Sequence, residues 1–73
     1  MQIREVLSFN LKSLRQAKGL SQEELAHRAG LDRTYISALE RCVYSASIDV
    51  LEKLAQTLGT EAAELLRRPG PPK

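Results

Sequence analysis

The sequence predicts an all-α chain built as one compact domain of five short helices. Three observations carry that expectation. Apolar residues recur at intervals of three and four, capping residues and glycines punctuate these stretches, and no segment alternates as a half-buried strand requires.

Ile3, Val6, Leu7, Leu11 and Leu14 share one helical face, which predicts a first helix running to about Lys18. Gly19 stops it, because glycine accepts the left-handed closing conformation without steric cost, and Lys18 suits the negative end of the dipole. Ser21-Gln22-Glu23-Glu24 has capping-box spacing: the Ser21 hydroxyl can accept the Glu24 amide proton while the Glu24 carboxylate reaches back to the Ser21 amide. Leu20 and Leu25 flank that cap as a hydrophobic staple, and Gly30 ends this second helix. Asp32 caps a third helix expected over about 33–41, with Leu31 stapled to Ile36 and with Ile36 and Leu39 turned inward.

From Cys42 to Ala46 there is no helical period, so a loop is expected. Ser47 then caps a fourth helix carrying Ile48, Leu51, Leu54, Ala55 and Leu58, which Gly59 ends. Thr60 is expected to cap a last short helix with Leu65 and Leu66, before Pro69-Gly70-Pro71-Pro72 terminates regular structure. The domain is therefore expected over residues 1–68, with 69–73 as a disordered tail.

Composition narrows the function. The 73 residues are 42% apolar and 27% charged, and no apolar run exceeds three residues, so neither a membrane span nor a signal-peptide core is expected and the chain reads as cytoplasmic. A single cysteine, Cys42, excludes an intrachain disulfide and a Cys-based zinc site. With one histidine, His27, and no Ser/His/Asp or paired-carboxylate constellation, no enzyme, metal, cofactor or small-molecule ligand is expected. Net charge is only +2, with seven Lys/Arg against five Asp/Glu in residues 1–46 and four of each beyond, so any case for nucleic acid rests on pattern. A chain this small buries only about 60% of its unfolded surface, which favours a homodimer.

Counting Gln22 as the first of a twenty-residue window, Ala26 falls at five, Gly30 at nine, Ile36 at fifteen and Leu39 at eighteen. The small Ala26 lets two helices approach, Gly30 makes the turn, and Ile36 and Leu39 anchor the following helix. This is helix-turn-helix spacing, in which the second helix of the pair enters the DNA major groove. Residues opening that helix face base edges, making Arg33 and Thr34 the leading base readers with Ser37 one turn further on. Arg33 can donate two hydrogen bonds to a guanine, and Thr34 can meet a base or a thymine methyl. The plainer alternative for Arg33 is a solvated first-turn residue. Ser21 and Gln22 open the second helix, where unpaired amides and the dipole favour a phosphate oxygen. Tyr35, Tyr44, Ser45 and Ser47 are further candidates for phosphate contact.

Leu14-Arg15, Gly19 through Ala26, Tyr35-Ile36-Ser37, Glu40-Arg41 and Leu51-Glu52-Lys53-Leu54-Ala55 resemble the bacterial and phage repressors grouped with lambda repressor and Cro, the XRE family, over about residues 7–66. Within that likeness, Asp32-Arg33-Thr34-Tyr35-Ile36-Ser37 followed by Glu40-Arg41 is similar to the controller proteins of restriction-modification operons. The resemblance implies a lambda-repressor-like fold, double-stranded DNA as partner, a phosphate role for Gln22, and a structural ion pair between Arg15 and Glu40 joining the first and third helices. The chain departs from the pattern after Glu40-Arg41, where the family has a glycine and later Pro-Ser but this chain has Cys42-Val43-Tyr44-Ser45-Ala46-Ser47.

Cys42 reads as a small packing residue rather than a redox sensor, and His27 as an exposed bystander. Val50, Leu65 and Leu66, with Phe9, exceed what four short stripes require and suit a two-fold interface, unless they fill the protomer's own core. The expected function is a transcriptional regulator that binds a near-palindromic operator as a homodimer. The alternative is an antitoxin or other protein-interaction module on the same fold.

Overall fold

The structure, a computed structural model, describes residues 2–70 and forms α1 (Ile3–Ala17), α2 (Gln22–Ala29), α3 (Arg33–Glu40), α4 (Ile48–Leu58) and α5 (Ala62–Leu65). No strand occurs among the described residues, so the all-α class holds. The end of the expected tail, residues 71–73, lies outside them. No described helix is long and apolar enough to cross a membrane.

Local chemistry sets most of the helix boundaries. Ser21 accepts the Glu24 amide at 3.0 Å while its own amide donates to the Glu24 carboxylate at 3.2 Å, so the capping box at α2 is complete. Asp32 accepts the Thr34 amide at 2.9 Å and Ser47 accepts the Val50 amide at 3.1 Å, opening α3 and α4. Gly30 and Gly59 close α2 and α4 with positive φ of 70° and 69°. The last helix departs from expectation. Its cap is Glu61, not Thr60, because the Thr60 amide donates to the Ala55 carbonyl at 2.9 Å and so finishes α4.

Helix α1 packs on α3 and α5, α2 on α3 and α4, and α4 on α5. Leu11, Leu25, Ile36, Leu39, Leu54 and Leu65 fill the centre with almost no exposure. Both leucines of the first staple, Leu20 and Leu25, belong to this core, and Ala26 keeps α2 close to α3. Leu65 is fully buried within the protomer, which corrects its assignment to a partner surface: packing of α5 between α1 and α4 consumes its whole side chain. Val50 and Leu66 lean on the core but keep partial exposure.

Two polar residues of α1 tie distant elements. The buried Ser8 hydroxyl donates to the Leu39 carbonyl at 2.6 Å, near the end of α3. The Asn10 amide donates to the carbonyls of Leu65 and Arg67 at 2.9 and 2.8 Å, with Glu64 at 3.3 Å, satisfying the C-terminal end of α5.

Candidate nucleic-acid interface

With Ile36 and Leu39 pinned in the core, the amphipathic α3 turns its other side outward, so Arg33 and Thr34 are exposed and Ser37 is half-buried. None of these three side chains makes a hydrogen bond or ion pair among the described residues. The guanidinium of Arg33 therefore keeps all of its donors for an outside acceptor.

Arg15 and Glu40 form the ion pair that the resemblance implied. Arg15 Nε donates to Glu40 Oε2 at 2.6 Å and Nη2 donates to Oε1 at 3.0 Å, with the side chains only 11% and 4% exposed. Nη1 donates to the Leu20 carbonyl at 2.8 Å, which ties the turn before α2 into the same cluster. The hydrogen bond to Glu40 raises the Arg15 pKa above its ordinary value; burial opposes the rise and the attraction of the carboxylate adds to it. The sequence did not reveal that Gln22 joins them: its Nε2 donates to Glu40 Oε1 at 3.1 Å. No periodic signal links these two residues, which stand eighteen positions apart on different helices.

At the start of α2, the backbone amides of Gln22 and Glu23 have no partner among the described residues, as expected for the first turn of a helix. Ser21 is exposed, but its hydroxyl is committed to the cap. The structure brings Tyr35, Tyr44 and Ser45 together: the Tyr35 hydroxyl donates to the Ser45 carbonyl at 3.4 Å and the two tyrosine rings lie 6.2 Å apart. Ser47, also exposed, caps α4 with its hydroxyl. The α3–α4 loop leaves α3 through Cys42, whose φ of 61° places a non-glycine residue in the left-handed region where the family pattern has glycine.

Comparison with known proteins gives one family and several close likenesses. A family described as helix-turn-helix matches residues 11–65. A hypothetical transcription factor of Neisseria meningitidis serogroup B is 48% identical over 67 residues, covering 92% of this chain, which spans only 63% of that protein. The restriction-modification controller protein C.AhdI from Aeromonas hydrophila superposes with a TM-score of 0.82 at 44% identity, covering 85% of this chain and 94% of its own. SinR, described as the master regulator for biofilm formation and solved in complex with DNA, superposes with a TM-score of 0.81 at 35% identity, covering 84% of this chain and 98% of its own.

Proposed function

Because the chain belongs to the helix-turn-helix family, we propose that it is a DNA-binding transcriptional regulator that reads double-stranded DNA with α3. The observation that carries this reading is the outward face of α3: Arg33 and Thr34 are exposed, Ser37 is beside them, and their side chains are uncommitted. Arg33 and Thr34 contact base edges in the major groove, with Ser37 one turn behind. The start of α2, through the Gln22 side chain and the unpaired amides, takes a phosphate oxygen, and Ser21 shapes that end as its cap. Tyr35, Tyr44, Ser45 and Ser47 clamp a second stretch of backbone. Likeness to C.AhdI and the Asp32–Ser37 segment support the narrower reading of a controller of restriction-modification genes.

The regulator works as a homodimer on a near-palindromic operator, its two α3 helices about 34 Å apart in successive major grooves. Val50 and Leu66 remain as the interface residues. Support for that step comes from the apolar surface near them: Ile48 is 83% exposed and Ile3 48%, and Ile3 and Leu66 border a hollow of about 250 Å³. Selection of bound duplexes from a random pool at two salt concentrations tests the function. An inverted repeat is expected at both; enrichment of no sequence, with affinity vanishing as salt rises, would leave only phosphate attraction.

A further inference from the structure

We infer that Glu40 is a positioning residue for DNA binding: through its hydrogen bond to Gln22 it fixes the phosphate-facing end of α2 against the base-reading helix α3. The inference rests on the DNA-binding reading above and adds to it a residue that does not itself touch DNA.

Glu40 Oε1 accepts from both Arg15 Nη2 and Gln22 Nε2, while Oε2 is taken by Arg15 Nε. The carboxylate thus spends its acceptors inside the protein, and the charge that would repel a phosphate is cancelled by Arg15 at 2.6 Å. The Gln22 Nε2 group carries two protons. One is directed to Glu40, and the other remains for an outside oxygen beside the unpaired amides of Gln22 and Glu23. A glutamine at the first position of a surface helix ordinarily samples several rotamers, which a ligand must freeze; here that freedom is already spent before DNA arrives. Glu40 is the last residue of α3 and Arg33 the first, so one rigid helix carries both the anchor for Gln22 and the leading base reader.

A double-mutant cycle of Gln22→Ala and Glu40→Asp tests this. Aspartate keeps a negative charge facing Arg15 but withdraws the carboxylate by about 1.5 Å, one carbon–carbon bond, which takes it beyond reach of Gln22 and lengthens its bonds to Arg15 too, so it is the cycle that isolates the Gln22 bond. Binding is measured to the best duplex from the random pool and to a random-sequence duplex of the same length, at a temperature where thermal melts show every variant folded. Each single variant is expected to weaken both duplexes by about three- to tenfold, the worth of one hydrogen bond, and the double variant no further. A folded Glu40→Asp variant that binds as wild type, or losses that multiply in the double variant, overturns the proposal. The wild type supplies a measurement that needs no variant: the Gln22 side-chain amide should show slow hydrogen exchange and restricted motion by nuclear magnetic resonance without DNA. A freely mobile amide overturns the inference even if DNA is bound. A wild type that binds no duplex, with that amide still held, instead overturns the DNA reading and the positioning role built on it.

Discussion

Arg15 of α1 and Glu40 of α3 meet as a two-bond fork from which nearly all water is excluded, and neither has another full charge to turn to among the described residues. Arg15→Ala would leave the carboxylate buried and unpaired, a loss expected to cost about 3–5 kcal/mol. Urea denaturation measures it directly. An Arg15→Ala domain as stable as wild type would show that the fork is not structural. Because the Arg15 pKa is raised in the fold, its stabilising share is complete below the ordinary guanidinium pKa and is lost only in strong alkali.

Cys42 holds a φ of 61° without the freedom of glycine. Left-handed backbone costs a residue bearing a Cβ roughly 1–2 kcal/mol, which the surrounding hydrogen bonds impose: the Val43 amide donates to the Ala38 carbonyl at 2.8 Å and the Cys42 amide to Leu39 at 3.1 Å. Cys42→Gly should therefore raise stability by about 1 kcal/mol, or about 4–8 °C in Tm for a domain of this size. Cys42→Val should lower it, since a β-branched side chain fits this conformation worst. Thermal melts of the two variants decide; a glycine variant that melts lower would place the value of Cys42 in its side-chain packing instead.

Asn10 closes the carbonyl end of a helix only four residues long. Asn10→Ala should cost about 1–3 kcal/mol by leaving those carbonyls short of a donor. The effect is expected to concentrate in α5, where hydrogen exchange of the Leu65 and Leu66 amides should accelerate before that of α2 or α3. Equal acceleration across all helices would mean that Asn10 supports the whole core.

Arg33→Ala and Gln22→Ala should fail in different ways. The first is expected to cost about 1–3 kcal/mol at one base pair of each half-site, with little change elsewhere. The second should weaken all sequences alike with the salt dependence little changed, because a neutral amide releases no counterion. Binding to a panel of single-base operator variants at several salt concentrations separates the two signatures, and identical profiles for both variants would remove the division between reader and clamp.

Much of the architecture was legible because helix ends are short-range chemistry. Ser21, Asp32 and Ser47 cap helices by accepting from amides that lie only two or three residues away, and Gly30 and Gly59 close α2 and α4 locally. The misplacement at Thr60 has the same origin: two adjacent termini compete for one amide, and a spacing rule does not say which takes it. What stayed hidden is what packing decides. The Asn10 contacts span more than fifty residues and the Gln22–Glu40 bond eighteen, and burial of Leu65 depends on where α5 docks. The Arg15–Glu40 pair was visible only through resemblance to relatives. For the DNA-facing residues, the pattern of α3 indicated which side is outward, and their individual contacts stand as proposals.

The side chains of exposed Arg33 and Thr34 and of half-buried Ser37 take no part in the hydrogen-bond and ion-pair network that ties the helices together. On the proposed reading, recognition and the bonding that holds the fold use different side chains. Under the proposed base-reading role, substitutions on this strip would redirect the protein to a different operator without a compensating change in the scaffold, so divergence of target preference among duplicated copies would be limited by selection on the site and not by the stability of the fold.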